Sequence, residues 1–148
     1  MKRILCFMLL VFALNSFCSA QDSINPADTI LPKALINDFS KRFSKAEIDD
    51  WIKEGSNYIV STFASNQWLD VTYSEKGKWV NTATLIDYEH LPQPVVKAFE
   101  SSKYRAFEIM KITLTEAKKQ PKVFRIFVEN IDEDAAVLQY HENGNPVP

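Results

Sequence analysis

The same pattern of residues occurs twice in this chain, and the repeat limits the possible folds more than any other feature. Leu31-Pro32 opens the first copy and Leu91-Pro92 opens the second, and a phenylalanine follows eight residues after each leucine, at Phe39 and Phe99. Each copy closes on a glycine-containing turn, at residues 75–78 and 142–145. The sequence therefore predicts two copies of one unit, in which a helix is followed by a sheet.

An amphipathic helix is predicted at the start of each copy. Between Leu31 and Phe43 apolar residues recur every four positions with polar residues between them, which is typical of a helix with one buried stripe. Pro32 suits the first turn, where a missing amide donor costs nothing. A second, shorter helix is predicted at residues 91–102. Both stripes are too apolar to face water, so a sheet must cover them.

Short runs rich in aromatic and β-branched residues follow each helix and are separated by tight polar turns, which predicts antiparallel meanders. The predicted strands are residues 48–54, 57–64, 67–74 and 78–85 in the first copy, and 105–116, 123–130 and 135–141 in the second. The predicted fold class is α+β, a tandem repeat of a helix followed by an antiparallel β-meander. The pattern leaves open whether the two sheets join at their edges or pack separately.

The N-terminus is typical of a secretory signal peptide. Lys2 and Arg3 precede the apolar run Ile4–Leu14, and small residues lead to Ala20, after which cleavage is predicted. An apolar run this short does not span a bilayer. The predicted organisation is a signal peptide at 1–20, a flexible leader at 21–30 and one domain at 31–148 with repeats 31–86 and 91–148. The mature chain, with no transmembrane segment predicted, is expected in the periplasm or outside the cell.

Lipidation at Cys18 is the alternative, but the bulky Phe17 before it disfavours a lipoprotein signal. The other cysteine, Cys6, also lies in the signal, so cleavage would leave no thiol for a disulfide or a metal site. Ser23 and Thr29 in the leader resemble glycosylation sites of envelope proteins. With 15 Lys and Arg against 19 Asp and Glu, the mature chain carries a charge near −4 and has no basic patch, which argues against nucleic acid as a partner.

Four short motifs follow one another along the first copy: Leu-Pro-x-x-Leu-x-x-x-Phe from Leu31, Trp51 ahead of Lys53-Glu54-Gly55, Asn57-Tyr58-x-Val60, and Glu75-Lys76-Gly77-Lys78-Trp79. In this order they resemble the PepSY-like proteins of bacterial envelopes. The resemblance implies a fold like that of the β-lactamase inhibitor proteins, and a non-enzymatic protein that inhibits an envelope enzyme or binds a protein or peptide through its sheet. The second copy departs from the pattern because it lacks a counterpart of Trp51.

No catalytic, metal or cofactor site is predicted. His90 and His141 have no metal ligands at a suitable spacing, and no Gly-x-Ser-x-Gly turn occurs. The acidic run at residues 130–134 resembles a calcium loop only in its first positions: Ala135 stands where glycine is needed and His141 where a glutamate should bind. It is interpreted as a solvated hairpin turn.

Strand alternation points to a different kind of site. Tyr58, Val60, Val71 and Tyr73 have the spacing of a helix-covered face, which turns Ile59, Phe63, Trp68 and Asp70 toward the opposite face of the sheet. An exposed apolar patch often marks a binding surface, and tryptophan is favoured at the centre of interfaces. The alternative is that the second sheet or a loop covers these side chains as core.

Three functions remain as hypotheses. The first is an envelope module without enzymatic activity that binds or inhibits a protein or peptide through a surface that includes Ile59, Phe63, Trp68 and Asp70. The second is a structural or stress-linked envelope protein, which self-association would reveal. The third is a small hydrolase that uses carboxylates such as Asp49, Asp50 and Asp70.

Overall fold

The computed structural model describes residues 30–132 and 134–148, so the predicted signal peptide, its cleavage point and the leader up to Thr29 lie outside the described residues. The elements, in chain order, are α1 (Lys33–Arg42), β1 (Asp50–Glu54), β2 (Asn57–Ala64), β3 (Gln67–Ser74), β4 (Trp79–Leu85), a short 3-10 helix (Tyr88–His90), α2 (Gln93–Glu100), β5 (Glu108–Ala117), β6 (Val123–Glu129) and β7 (Ala135–His141). The predicted α+β class is confirmed.

All seven strands form one antiparallel sheet in which chain order and spatial order are the same. The central pairing is between β4 and β5, where Ala83 lies opposite Thr115 and Leu85 opposite Thr113. This pairing joins the strands that follow α1 to the strands that follow α2. The sheet is therefore continuous, which answers the question that the sequence left open.

The strand ends agree best with the prediction where a two-residue turn separates the strands. Between β2 and β3, Ser65 and Asn66 have φ values of 52° and 66°, as a type I′ turn requires at both central positions. The prediction of β1 was wrong at its start, because the strand begins at Asp50. Ile48 lies before the strand, so Ile48 and Trp51 can both pack against the same core.

The two helices cover one face of the sheet. Leu35 and Phe39 of α1 pack on β2 and β3, and Val95 and Phe99 of α2 pack on the strands of the second half. A row of directly opposed residues runs across the sheet from the α1 core to the α2 core, and it consists of Leu69, Thr84, Leu114, Phe124 and Tyr140. Because opposed residues point to the same side, both helices lie on the same face.

The glycine-containing turns that follow β3 and β7 have the same hydrogen bonds. In the first, the Ser74 amide donates to the Lys78 carbonyl and the Gly77 amide to the Ser74 carbonyl, each at 2.8 Å. In the second, the His141 amide donates to the Asn145 carbonyl and the Gly144 amide to the His141 carbonyl, each at 2.9 Å. Each glycine lies against the first turns of the helix in its own half.

The two edges of the sheet differ. The outer side of β1 pairs with no other strand of the described chain. Alongside β7, Pro146 forms a bridge with Tyr140, and the Val147 amide donates to the Gln139 carbonyl at 2.9 Å. The β7 edge therefore already carries a short extended segment, whereas no segment from residues 30–132 or 134–148 lies along the β1 edge.

Candidate binding surface

The face of the sheet opposite the helices, called the open face here, carries the four residues selected from the sequence. Phe63 lies directly opposite Trp68 in the pairing of β2 and β3, and Ser61 lies opposite Asp70. These side chains alternate with Val60, Thr62, Leu69 and Val71, which are buried under α1. Ile59, Phe63, Trp68 and Asp70 therefore share the open face.

Phe63 and Trp68 form an exposed aromatic pair. Their ring centroids are 5.3 Å apart in an edge-to-face arrangement, which is a favourable geometry for aromatic rings. Phe63 is 47% exposed and Trp68 is 51% exposed, so the described chain leaves about half of each side chain open. The second half of the sheet lies beside the first and does not stack on it. Ile59 is less exposed than the pair, and the neighbouring Ile52 is 55% exposed.

Asp70 is held by two neighbours. Its carboxylate accepts a hydrogen bond from the Ser61 hydroxyl at 2.8 Å, and the Lys111 ammonium lies 3.6 Å from its other oxygen. Lys111 comes from β5 and therefore reaches across β4 to make this contact. The same ammonium lies 5.9 Å from the centroid of the Phe127 ring. The ion pair thus links the two halves of the open face.

Several other apolar residues of the open face were not predicted from the sequence. Leu85 lies near Phe63 and Trp68 in a shallow groove of about 460 Å³. In the second half, Phe127 lies opposite both Lys111 and Val137. A β-bulge between Ile109 and Lys111 places Met110 in a groove of about 260 Å³ with Phe127 and Val137. Met110 is 59% exposed and Val137 is 50% exposed.

A cation lies between these apolar regions. Arg125 of β6 stands in one row with Thr113 and Gln139, on the open face. Its Nε donates a hydrogen bond to the Gln139 side-chain oxygen at 3.1 Å. The alternation of Arg125 and Phe127 with Phe124, Ile126 and Val128 is visible in the sequence, so this was the signal that could have placed Arg125 on the surface.

The carboxylates proposed for a hydrolase have structural partners. Asp49 accepts a hydrogen bond from the Phe63 amide at 3.0 Å, and Asp50 accepts one from the Trp51 amide at 2.8 Å. Asp50 on β1 and Asp70 on β3 pair with Ser61 of β2 from opposite sides. Two strand spacings, about 10 Å, therefore separate their backbones.

No group of three or more metal-ligating side chains occurs within residues 30–132 and 134–148. Ile131, Asp132 and Asp134 of the acidic run are exposed between β6 and β7. There the Asn130 side-chain oxygen accepts hydrogen bonds from the amides of Asp132 and Asp134, at 3.0 and 2.8 Å. In the part of the chain that the structure describes, no helix has the length and apolar character needed to cross a bilayer.

Comparison with solved structures shows the same fold in several bacterial proteins. A protein from Bacteroides eggerthii, described provisionally as periplasmic, has a TM-score of 0.75 and 15% identity, and the match covers 81% of this chain and 88% of that one. A protein of a domain family of unknown function from Bacteroides ovatus has a TM-score of 0.73 and 23% identity, with 81% and 86% covered. A protein described as BLIP-like from Bacteroides fragilis has a TM-score of 0.69 and 21% identity, with 84% and 89% covered.

No curated protein sequence matches the chain. A family model does match, over residues 56–146, which is more than half of the chain. That family is described provisionally as β-lactamase-inhibitor-like and PepSY-like. The match includes β2–β7 and α2, and so nearly the whole open face. The chain belongs to the PepSY-like family, as its motifs had predicted.

Proposed function

We propose that this protein is a binding module without enzymatic activity, which recognises a protein or peptide through the open face of its sheet. The observation that carries the proposal is the Phe63–Trp68 pair, with both rings about half exposed at the surface. Burial of such rings in a partner would release a large apolar area from water, at about 25 cal/mol per Å². Ile59 and Asp70 belong to the same surface.

The arrangement of the open face supports recognition of a macromolecule. Apolar side chains lie in both halves of the sheet, with the Asp70–Lys111 ion pair between them. The grooves beside Trp68 and Met110 are shallow and open, whereas sites for small molecules are usually deep clefts. A broad surface with aromatic anchors and a few polar groups is typical of protein interfaces.

The proposal places the protein in the periplasm or outside the cell, with the signal peptide removed after Ala20. It is supported by the N-terminal sequence and by the fold shared with the Bacteroides eggerthii protein. An N-terminus at Gln21 in the protein isolated from its native cells would be the direct check. A lipid on Cys18 would contradict it.

We also propose that residues 31–86 and 91–148 are two copies of one unit. The matching hydrogen bonds at Ser74–Lys78 and at His141–Asn145 support this interpretation, as does the position of each turn glycine against a helix. The first unit has four strands and the second has three. The bridge between Tyr140 and Pro146 repeats the pairing of Tyr73 with Trp79.

Two other functions have weaker support. A hydrolase would need carboxylates arranged around a cleft, whereas Asp49 and Asp50 bind nearby amides at an exposed edge. A structural envelope protein would be expected to associate with itself. Sedimentation of the mature chain over a range of concentrations would detect that association.

Affinity capture from the native cell envelope tests the main proposal. The mature wild-type chain is expected to retain a specific partner, and Trp68→Ala is expected to lose it, because Trp68 is the larger and more exposed ring of the aromatic pair. Removal of an interface tryptophan typically costs about 2 kcal/mol or more, a loss of affinity of roughly thirtyfold. Direct titration of the purified partner measures this loss.

Ile36→Ala is the matched control, since Ile36 is 40% exposed on α1, on the helix side of the sheet. It is expected to bind like the wild type. Circular dichroism shows whether each variant is folded. If folded Trp68→Ala retains every partner of the wild type, the open face is not the binding surface.

A further inference from the structure

We infer that the segment recognised by the open face is acidic: it carries an Asp or Glu side chain that binds Arg125, with a large apolar side chain two residues away. This inference rests on the proposed binding function and names the chemistry of the partner. It follows from the charges, the hydrogen bonds and the spacing of side chains on β5, β6 and β7.

The two cations of the open face, Lys111 and Arg125, differ in whether a carboxylate is paired with them. Lys111 already has an anion, because its ammonium lies 3.6 Å from the Asp70 carboxylate. Among the residues that the structure describes, no carboxylate forms an ion pair with Arg125, whose side-chain partner is the neutral amide of Gln139. Asp70 and Lys111 therefore neutralise each other, whereas Arg125 is a cation without an ion-pair partner among the described residues. Glu129 is on the same face, four residues further along β6, so the group that would pair with Arg125 is an anion supplied by the partner at Arg125 itself.

Gln139 also fixes the direction in which Arg125 can bind. A guanidinium carries one N–H on Nε and four on its two Nη atoms. Since Nε is occupied by Gln139, the Nη atoms remain for an end-on contact with both oxygens of a carboxylate. Such paired hydrogen bonds are among the strongest polar contacts, and a side chain already held in place loses less entropy on binding.

The surroundings of Arg125 specify the rest of the motif. Phe127 lies two residues along β6 on the same face, about 7 Å away, and it borders the groove that also contains Met110 and Val137. Residues i and i+2 of an extended peptide are separated by the same distance. A strand-like segment with an acidic residue and an apolar residue at this spacing could therefore contact Arg125 and the groove together.

A peptide library displayed on phage tests the inference with the purified mature chain. The wild type is expected to select peptides that contain Asp or Glu two positions from a large apolar residue. Synthetic versions of the selected peptides, with the acid changed to its amide, should bind about tenfold more weakly or worse, because a hydrogen-bonded charge is lost. Arg125→Gln should lose the same factor for the acidic peptide and show no preference between acid and amide.

Two further variants separate the role of Arg125 from general effects. Lys97→Gln removes an exposed charge from α2, on the helix side, and should bind like the wild type. Arg125→Lys keeps the charge without the paired Nη donors and should retain part of the preference for the acid. Circular dichroism of each variant confirms that it is folded.

The possible failures have different meanings. If peptides bind and depend on Trp68, but show no preference for an acid and no effect of Arg125→Gln, this inference is wrong and the proposed function stands. If the library yields no saturable ligand for the wild type, both are contradicted. If the wild type forms a dimer that Arg125→Gln abolishes, a second copy occupies the face and the inference is again wrong.

Discussion

At the scale of single residues, Gly77 determines how closely α1 can approach the sheet. Its φ is +70°, and a Cβ atom at this position would lie 2.5 Å from the Leu35 amide nitrogen and 2.9 Å from the Ala34 Cβ. Any other residue would push the helix away from the turn. Gly144 has the same role under α2, where a Cβ would lie 2.5 Å from the Pro94 carbonyl oxygen.

Gly77→Ala is therefore expected to lower the free energy of unfolding by about 2 to 4 kcal/mol, because backbone strain and a backbone clash add together. Urea denaturation measures the change. Gly55→Ala is the matched control, since Gly55 also has a positive φ but a methyl group there would meet no other part of the described chain within 4 Å. It should cost about 1 kcal/mol. Equal losses in the two variants would show that the contact with α1 contributes nothing.

The Tyr73 side chain is fully buried under α1. Burial raises the pKa of Tyr73, and the nearby negative charge of Asp38 raises the pKa further. The hydroxyl is not in hydrogen-bonding geometry with any described residue. In the unfolded chain a tyrosine ionises near a pKa of about 10, so the folded state binds this proton more tightly.

The contribution of Tyr73 to stability is then complete below about pH 10 and is lost as the pH rises further toward the raised pKa. Between about pH 10 and pH 11 the wild type should lose about 1 kcal/mol from this residue alone. Tyr73→Phe should show a smaller decline over that interval, with Tyr140 unchanged. Denaturation curves at the two pH values measure the difference, and parallel declines would contradict the assignment.

Among the secondary-structure elements, the strand ends were predicted correctly where a short turn of characteristic sequence marks them. The bounds of β2 and β3 were correct because the two-residue turn at Ser65 and Asn66 marks both ends. Both helices were predicted to begin two residues too early, because Leu31 and Leu91 continue the apolar stripe and yet precede the prolines at the helix starts. The predicted ends were one residue too late for α1 and two residues too late for α2. Periodicity alone does not reveal where helical backbone begins.

The residues on the first half of the open face were predicted from similar local patterns. Alternation within β2 and β3 was enough to place Ile59, Phe63, Trp68 and Asp70 on it. The other half depends on the pairing of β4 with β5, which joins residues far apart in sequence, and on the bulge that turns Met110 outward. Neither feature leaves a short-range pattern, so the contacts of Lys111 and the position of Arg125 relative to the aromatic pair could not be predicted.

In the molecule as a whole, the continuous sheet couples the stability of the core under α1 to the stability of the core under α2. The α1 core and the α2 core are separate clusters of buried side chains, but the hydrogen bonds between β4 and β5 join the strands beneath them. We therefore expect the described domain to unfold in a single cooperative transition.

Ile126→Ala tests this expectation, because Ile126 is fully buried in the α2 core, whereas Trp51, Trp68 and Trp79 all lie in the first half. The variant should lose about 2 to 5 kcal/mol. If the halves unfold together, the transition followed by tryptophan fluorescence should shift as far as the transition followed by far-ultraviolet circular dichroism. A tryptophan transition that keeps its wild-type midpoint would show that the halves unfold independently.

The difference between the two sheet edges limits how copies of this protein can assemble. Growth of a fibre by strand addition needs two usable edges on every copy, one to accept the previous molecule and one to accept the next. Beside β7 the Tyr140–Pro146 bridge occupies part of the edge, and proline offers no amide to a further strand. Among the strands that the structure describes, β1 is the less obstructed edge, and two molecules joined through β1 would leave only the partly covered β7 edges. Association through backbone pairing is therefore expected to favour a dimer joined through β1 over open-ended growth of the folded protein.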